Sequence, residues 1–575
     1  MYYPTQQRKE SPTATIIRKN KKGHTYYYAV QSKRVNGKPR IVWQKYLGTI
    51  DAILHRAEDA TPAKPFSAVI NEAGGVAALL SIAQRIRLVD LINEAVPKRD
   101  QGPSVGQYML LAALNRALDP CSKKAIGAWY DRTALRRLWG YPPVDFSSQR
   151  FWDHMDMVSD DAIETVQGRL LETVRREYGI DTRVLLYDTT NFFTFLATTN
   201  PSELAQRGRN KAKRRDLRQI GLALLVSRDF HIPLLHRVYP GNVNDVALFP
   251  DISRDLIARF TTLTGQASEP TAVWDRGNIS DYAMQHYVVS GMHFVAGLPA
   301  DRFPGLLATP LERFEQVPGC PGTRAFAATD IVWAKDCKIV VVYTESFFAQ
   351  QAAGVMHNLV KCQKRLADLE RSLRPWHQGK GRGKPPTAAG VRKAVRTMLS
   401  AQFMKEIVST AISEENGWPV LQHSVDHQAL DRLNDRRLGR TLLITDHLDW
   451  PVADVITTYR GLAAVEDAFR NMKNIHFLHW QPAYHWTDQK LRVHGFYCVL
   501  GLLLATLARL TAARSGIEIT VPRLLEELSL IREVAVIYPP GTPGARKSHL
   551  ALSSMSPRQH KLADCFGIAE ILAEG

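Results

Sequence analysis

Two short apolar runs that each end in an aspartate constrain the fold of this chain most strongly. RVLLYD ends at Asp188 and AVWD ends at Asp275, and both have the length and composition of buried strands. Between them, QIGLALLVSRDFHIPLLHRVYPGN predicts two strands around a tight turn at Arg228–Phe230, and a helix is predicted at about 245–260. After Asp275, HFVAGLP predicts one more strand. These strands and the helical segments among them indicate an α/β domain. Two carboxylates at strand ends can then share one site.

A glutamate on a predicted helix completes the set of acids. In TTYRGLAAVEDAFRNMKNIHF, apolar residues recur every three or four positions, which predicts the core face of one helix from Val452 to about Lys473. The stripe consists of Leu462, Val465, Phe469 and Met472. Tyr459, Glu466 and Lys473 are spaced seven apart, so they form a column beside that stripe. Glu466 is therefore predicted to point toward the sheet edge. The alternative is a surface glutamate whose stem packs on the edge of the core.

Three blocks of the sequence resemble the DDE transposases of bacterial insertion sequences. The blocks are LLYDTTNFF at Asp188, VWDRGNIS at Asp275 and YRGLAAVEDAFRNMK at Glu466. The resemblance is closest to the group whose RNase H-like domain carries an insertion between the second Asp and the Glu. YPGNVNDVALF also resembles the segment that follows the third strand in that group.

The last block also resembles the Tyr-Glu-Lys signature of this group. The signature has Tyr, two residues, Arg, three residues, Glu, six residues and Lys. Tyr459, Glu466 and Lys473 fit this spacing, whereas Leu462 stands at the Arg position. Arg460 is the nearest substitute, two residues earlier and on a different helical face.

The resemblance implies a DNA transposase that cleaves insertion-sequence ends and transfers the strand into target DNA. Asp188, Asp275 and Glu466 would be both its catalytic residues and the ligands of two Mg²⁺ or Mn²⁺ ions, which are hard cations that prefer oxygen. Its partner would be double-stranded DNA, as transposon ends and as target. The resemblance also implies a homodimer that holds this DNA and that forms either before DNA binding or only on DNA. Two alternatives stay open: an RNase H-like metal-dependent nuclease without strand transfer, and an inactive DNA-binding protein derived from a transposase.

The charge of the chain agrees with a polyanionic partner. It carries 74 Lys and Arg against 56 Asp and Glu, an excess that favours nucleic acid or an anionic membrane. The densest basic segment, around RGRNKAKRRDLR, follows the strand of Asp188 and is predicted to contact DNA beside the site, a solvated loop being the alternative. Its predicted DNA-binding residues are Arg207, Arg209, Lys211, Lys213, Arg214 and Arg215. The residues predicted to hold phosphates near the acids are Tyr459, Arg460, Lys473 and Arg276.

The N-terminal segment has a distinct basic and aromatic composition. TATIIRK, HTYYYAVQSKR and RIVWQKYLG predict three strands, with a hairpin turn at Asn36-Gly37. Residues 1–50 contain eleven Lys or Arg and one acid, Glu10. This ribbon either binds nucleic acid through its cations, tyrosines and Trp43, or is a solvated hairpin whose aromatic residues pack on the next domain.

The chain as a whole is predicted to be α/β, with an RNase H-like catalytic core and a mixed β/α insertion domain. The insertion is predicted to be strand-like to about residue 345 and helical over about 353–413. The predicted segments are a basic β-rich N-terminal segment (1–60), a helical domain, either DNA-binding or structural (61–180), the first part of the core (181–300), the insertion (301–440), the second part of the core with Glu466 (441–515) and a C-terminal helical tail (516–575).

The cysteines and apolar runs bear on the cellular location. No two of the six cysteines form a CxxC pair, so neither a zinc ribbon nor a disulfide framework is expected. The longest apolar run, Val499–Ala508, is shorter than the roughly 20 residues of a membrane span. It predicts a buried core helix and no membrane partner. The N-terminus lacks an apolar signal core, so we expect a cytoplasmic, nucleoid-associated bacterial protein.

Overall fold

The computed structural model describes residues 14–21, 24–35, 38–51, 53, 67–99, 101–197, 199–210, 212–243, 255–256, 258–260, 262, 270–278, 284, 292–538 and 548–574. Within these residues the chain is mixed α/β, as predicted. It divides into two compact units. Unit 1 comprises Met1–Ser268 and Ala463–Gly575, and unit 2 comprises Glu269–Leu462.

Strands and helices are numbered separately in chain order. The strands among the described residues are β1 (Thr15–Lys21), β2 (His24–Val35), β3 (Lys38–Gly48), β4 (Ser67–Glu72), β5 (Val184–Thr194), β6 (Arg218–Ser227), β7 (Pro233–Pro240), β8 (Thr271–Trp274), β9 (His293–Leu298), β10 (Glu315–Gln316), β11 (Thr323–Val332), β12 (Lys335–Thr344), β13 (Val408–Glu415), β14 (Trp418–Val425), β15 (Arg440–Thr445), β16 (Arg532–Ile537) and β17 (Ser548–Leu552). The α-helices are α1 (Gly74–Arg85), α2 (Leu88–Ala95), α3 (Val105–Leu118), α4 (Ile126–Asp131), α5 (Leu135–Trp139), α6 (Ser148–Asp156), α7 (Asp160–Tyr178), α8 (Pro304–Leu307), α9 (Glu345–His377), α10 (Ala388–Met398), α11 (Met404–Ile407), α12 (His427–Arg436), α13 (Val452–Arg460), α14 (Leu462–Met472), α15 (Asp488–Arg514), α16 (Val521–Ser529), α17 (Pro557–Phe566) and α18 (Ile568–Ala573).

The three strands predicted for the N-terminal segment are confirmed. They form an antiparallel sheet in the order β1-β2-β3. Val35 pairs with Lys38, so β2 and β3 form a hairpin. The predicted turn residues 36 and 37 lie outside the described residues.

A second small sheet of unit 1 joins distant parts of the chain in the order β17-β16-β4. The segment 516–575, predicted as a helical tail, therefore contains two strands as well as α16, α17 and α18. The apolar run of β16 pairs with β4, with Val534 opposite Ile70. Because this partner lies far away in sequence, no local pattern identified the pairing.

Helix α15 is the central helix of unit 1. By length and composition it is long and apolar enough to cross a membrane, but 83% of its most apolar stretch is buried inside the protein. It packs against α1, α3, α7 and β7. Gly501 allows a close approach, because a Cβ there would lie 2.9 Å from the carbonyl oxygen of Ala113 on α3. The predicted buried core helix is confirmed.

Strand β5 is longer than the sequence indicated. It pairs with β6 in antiparallel register as far as Thr194, which lies opposite Arg218. Asp188 is thus the fifth of its eleven residues and not a strand end, which corrects the prediction. The reason is that the residues after Asp188, TTNFFT, are mostly β-branched or aromatic and continue the strand.

The strands of unit 2 form a sheet in the order β10-β11-β12-β15-β9-β8. Strands β8 and β9 are parallel, and the other neighbouring pairs are antiparallel. Asp275 directly follows β8, as predicted. Trp274 before it is fully buried, which makes it a core residue. The helix predicted at about 245–260 falls largely outside the described residues.

Part of the segment predicted as the insertion has its own apolar core within unit 2. One face of α9 packs against α10, the β13–β14 hairpin and α12. The core consists of Val355, Leu359, Cys362, Leu366, Leu373, Val391, Val395, Met404, Ile407, Val408, Leu421, Leu433 and Leu438. The predicted helical stretch 353–413 in fact gives way to a strand at Val408. The hairpin turn is Asn416-Gly417, where both residues have positive φ (52° and 80°), as a type I′ turn requires.

The helix predicted from Val452 to about Lys473 is in fact two helices, α13 and α14. Gly461 separates them in a near-helical conformation (φ −56°, ψ −25°). Three residues of the predicted stripe, Val465, Phe469 and Met472, are buried, which confirms the core face of α14.

Candidate active site

Asp188 lies half-buried in the middle of β5. Its Oδ1 accepts a hydrogen bond of 2.8 Å from the backbone N–H of Thr189. Side chains alternate along a strand, so Asp188, Thr190 and Phe192 share one face of β5. Successive members of this row are about 6.7 Å apart along the strand.

Lys473 lies on this same face of β5. Its Nζ donates to Oγ1 of Thr190 at 2.7 Å and lies 5.4 Å from the ring centre of Phe192. The backbone N–H of Lys473 bonds to the carbonyl of Phe469 at 3.1 Å, so helical geometry extends from α14 to this lysine. The third sequence block therefore contacts the strand of the first block, 283 residues away in the chain.

Glu466 lies exposed on α14. Lys473 follows it by seven residues, which is about two turns or roughly 10.5 Å along the helix on nearly the same side. Glu466 is therefore on the side of α14 whose C-terminal end contacts β5. The next acid, Asp467, instead pairs with Arg470 at 2.6 Å, and both are exposed.

A cavity of about 670 Å³ opens beside residues 189–193 of β5, directly after Asp188 in the chain. Its wall includes Thr190 and Phe192 of β5, Arg209 and Asn210 of the basic segment, and Lys473 and Trp480. Phe192 and Trp480 stack with ring centres 4.4 Å apart. The structure thus brings two predicted DNA-binding cations, Arg209 and Lys473, to one cavity next to Asp188.

The basic segment is anchored at its base by Gln219. This buried side chain donates to the carbonyls of Gly241 (2.7 Å) and Arg209 (3.1 Å). Gly208 and Gly241 make room for it, since a Cβ at either position would collide with the backbone of Gly241 or of Gln219. The structure describes five of the predicted DNA-binding residues of this segment, and all five are exposed: Arg207, Arg209, Lys213, Arg214 and Arg215.

One of these cations already has an acidic partner. Arg214 donates to both oxygens of Asp216, at 2.7 and 2.6 Å. This hydrogen bonding lowers the pKa of Asp216 to about 2. Lys211, also predicted to bind DNA, lies outside the described residues.

Arg116, a buried arginine that was not predicted from the sequence, holds the wall of the cavity that residues 479–481 form. Arg116 of α3 donates to the carbonyls of Gln481 (2.8 Å) and His479 (3.3 Å), and also to that of Cys121. His479, Trp480 and Gln481 line the cavity. The available signal was an arginine inside the apolar helix MLLAALNRAL.

In unit 2, Asp275 is exposed at the end of β8 and accepts a hydrogen bond of 2.7 Å from the hydroxyl of Tyr459 on α13. Burial and the Asp275 carboxylate raise the pKa of Tyr459 well above its ordinary value, so the hydroxyl remains a donor. Gly297 of β9 lets the ring pass, because a Cβ there would collide with the tyrosine hydroxyl.

Two other cations predicted at the site also lie in unit 2. Arg276 is exposed and begins the 3₁₀ turn that follows Asp275. Arg460 donates to the hydroxyls of Thr323 (2.9 Å) and Thr344 (3.5 Å), which belong to β11 and β12. Its guanidinium is thus held by these two strands.

The three predicted carboxylates are divided between the two units. Asp188 and Glu466 belong to unit 1, and Asp275 belongs to unit 2. Their assembly into one metal site remains a prediction.

A cluster of potential metal ligands in unit 2, His293, Asp446 and His447, was not predicted. The Asp446 carboxylate is fully buried and accepts from Lys335 Nζ (2.5 Å), His293 Nδ1 (2.9 Å) and the N–H of Phe294 (2.8 Å). Burial opposes ionisation of Asp446, but these hydrogen bonds lower its pKa overall. Lys335 supplies the positive charge that a metal would supply, so the cluster is best explained as an ion-pair network.

The sequence matches no protein-family model and has no significant similarity to curated proteins. Among solved structures, a piggyBac transposase synaptic complex with hairpin DNA, determined by cryo-EM, aligns with a TM-score of 0.33 and 10% identity. The alignment covers 79% of this chain and 79% of that one. A similarity of this size carries no argument about function.

Proposed function

We propose that this protein is a DNA transposase that cleaves and joins DNA with Asp188, Asp275 and Glu466. The observation that carries the proposal is the contact of Lys473 with Thr190, two residues from Asp188 on the same strand face. This contact joins the block that contains Glu466 to the block that contains Asp188.

The second block supports the same proposal. Tyr459, from the first half of the Glu466 block, binds the carboxylate of Asp275. Motif residues that are 184 and 283 residues apart in the chain thus meet as direct hydrogen-bond partners. Each of these contacts joins two of the sequence blocks that carry the resemblance.

The chemistry of the donors fits Mg²⁺ or Mn²⁺. All three proposed ligands are carboxylates, and at least two of them, Asp275 and Glu466, are exposed to an incoming ion. Two such ions, when bound, supply activation of the attacking oxygen and stabilisation of the leaving oxygen. Tyr459 would orient Asp275 through one carboxylate oxygen, which leaves the other for the ion.

The cations of the cavity would hold the DNA strand. Lys473 and Arg209 both line it, together with Thr190 and Phe192 from the face of β5 that carries Asp188. Their positive charges would place a phosphate beside the carboxylates and partly offset the charge that develops on it. We propose that a homodimer in the cytoplasm, associated with the nucleoid, holds two DNA ends in this way.

The proposal is tested by cleavage of labelled duplexes that tile the DNA flanking the coding sequence, with Mg²⁺ or Mn²⁺. Glu466→Gln and Asp188→Asn are compared with wild type, and Asp467→Asn is the matched control because it is the adjacent acid of the same helix. Wild type and Asp467→Asn should cut, whereas the other two should bind but not cut. If Glu466→Gln cuts as fast as wild type, the proposed site is wrong.

A second assay separates the transposase from a plain nuclease. Pre-cleaved ends with a free 3′-hydroxyl are incubated with a supercoiled target plasmid, and joined products are counted. A transposase joins them without prior hydrolysis, whereas a nuclease leaves the plasmid unjoined. An inactive DNA-binding descendant would bind the duplexes and do neither.

A further inference from the structure

The N-terminal sheet β1–β3 has two faces of different character. Directly opposed residues share a face, and the pairs Ile17–Tyr28 and Tyr28–Tyr46 place these three side chains on one of them, here called the aromatic face. Tyr28 and Tyr46 pack with ring centres 5.2 Å apart. Val30 on this face is only 4% exposed, so part of the face is covered.

Lys19 belongs to the aromatic face. Its Nζ lies 4.9 Å from the ring centre of Tyr28 and donates to the side chain of Gln44 at 3.2 Å. The ammonium is therefore engaged within the sheet.

The opposite face, here called the basic face, follows from the same register. Its exposed members are Ile16, Arg18, Lys33, Lys38, Arg40, Trp43 and Lys45. The cations extend from the Arg18–Tyr27 pair to the Lys38–Val35 pair, a span of about 27 Å along β2. Many phosphates of a duplex fit within this length, because B-DNA carries one charge per ≈ 1.7 Å of helix axis.

Within the sheet no acid balances the charge on this face, although Arg18 at one end of it interacts electrostatically with the carboxylate of Asp119 outside the sheet. No Asp or Glu occurs between Ser11 and Ile50. Lys33 and Arg40 lie directly opposite each other across β2 and β3, an arrangement of like charges that destabilises an isolated sheet. An anionic partner over the face would relieve this repulsion.

We propose that the basic face binds the phosphate backbone of duplex DNA. The β2–β3 hairpin carries all of its cations except Arg18, and a two-stranded β-ribbon fits the major groove, which is about 12 Å wide. The exposed Trp43 and Ile16 add apolar contact area between the cations. The inference deepens the proposed function, because it names a surface that holds DNA, and its test requires no cleavage.

The first experiment measures duplex binding by the full chain in EDTA at several salt concentrations. The triple variant Lys33→Gln/Arg40→Gln/Lys45→Gln should lower the magnitude of the slope of log K against log salt by about 2.7, and the affinity at 0.1 M salt by roughly 500-fold. Lys45→Gln alone should lower the slope by about 0.9. Its matched control, Lys19→Gln on the aromatic face of the same sheet, should leave the slope unchanged.

The second experiment uses the unmodified protein, so misfolding of a variant cannot explain the result. Lysine acetylation is mapped by mass spectrometry with and without duplex DNA. DNA should protect Lys33, Lys38 and Lys45 but not Lys19.

Three results would overturn the inference. Unchanged salt slopes in the triple variant, with wild type still salt-sensitive, would reject the basic face but leave the proposed function standing. Wild type that binds no duplex would reject both. Anionic vesicles that bind as tightly as duplex DNA and protect the same lysines would assign the face to a membrane surface.

Discussion

The hydroxyl of Tyr459 donates a hydrogen bond of 2.7 Å to Asp275, a residue 184 positions earlier in the chain. Such a partner fixes the orientation of a carboxylate and tunes its affinity for a metal ion. A side chain at position 297 would collide with the tyrosine hydroxyl. The orientation of Asp275 therefore depends also on Gly297, which has no side chain and contributes only the space for Tyr459.

Removal of the hydroxyl should weaken the response to metal. Tyr459→Phe keeps the ring but frees the carboxylate, so we expect cleavage to need a higher Mg²⁺ concentration and to fall about 10- to 100-fold at limiting metal. Titration of the cleavage rate with Mg²⁺ measures this. Gly297→Ala should produce the same change by displacing the ring, whereas Gly305→Ala, with no atom near the new Cβ, should not. Equal metal dependence in Tyr459→Phe and wild type would contradict the predicted role.

Neutralisation of Lys473 should impair both DNA binding and cleavage. Lys473→Met keeps an unbranched stem beside Phe192 but removes the ammonium that reaches Thr190. We expect the salt slope of duplex binding to fall by about one, as for one lost phosphate contact, with a larger loss in cleavage. Arg470→Met is the control, because Arg470 is exposed and already paired with Asp467. The role assigned to Lys473 fails if both variants behave alike.

Loss of Arg116 should destabilise unit 1 and the wall of the cavity. Arg116→Leu leaves the part-buried carbonyls of Gln481 and His479 without their donor, and an unsatisfied group of this kind costs about 1–3 kcal/mol when water does not reach it. We expect the free energy of unfolding to fall by roughly 2–5 kcal/mol, measured by urea denaturation. Arg132→Leu, at an exposed position of the same unit, should change it far less.

The elements with a local pattern could be predicted from the sequence. The short apolar run before Asp275 forms the buried strand β8, as predicted. The helical periodicity of α14 correctly predicts that Val465 and Phe469 are buried. The Asn416-Gly417 hairpin carried an equally local signal, an Asn-Gly turn between alternating residues, but it was overlooked because the residues up to about 413 were predicted to be helical.

The contacts that build the candidate site could not be predicted in the same way. Arg116 reaches Gln481 across 365 positions, and Lys473 reaches Thr190 across 283. No spacing rule connects such partners, since their proximity arises from the packing of whole elements. The position of Asp188 inside β5 was missed for a different reason. A charged residue marks the end of a fully buried strand, but this strand is only half-buried from Asp188 to Asn191 and tolerates it there.

The ion pair between Lys335 and Asp446 should be a stability element of unit 2. Asp446 is fully buried and Lys335 is 30% exposed. Lys335→Met would leave an uncompensated buried carboxylate, which we expect to cost about 3 kcal/mol. In a double-mutant cycle with Asp446→Asn, the coupling should be about 1–3 kcal/mol. In protein prepared without added Mg²⁺ or Mn²⁺, stability measured in urea should not change on addition of EDTA; a loss with EDTA that Asp446→Asn abolishes would identify the cluster as a metal site instead.

Unit 1 should lose stability as the pH falls below neutrality, because it buries neutral histidine. His236 is 5% exposed, and burial, with the charge of Arg259, lowers its pKa to about 3. In the unfolded chain a histidine takes up a proton near pH 6.5, so between pH 6.5 and 3 the unfolded state binds more protons and the stability contributed by this residue is progressively lost. From pH 7 to pH 5 this loss is about 2 kcal/mol.

Urea denaturation at pH 7 and pH 5 should show this loss in wild type and in the exposed-site control His560→Gln. His236→Phe, which preserves an aromatic ring beside Phe496, should show a decrease smaller by about that amount. The same decrease in all three proteins would mean that His236 is not the group responsible.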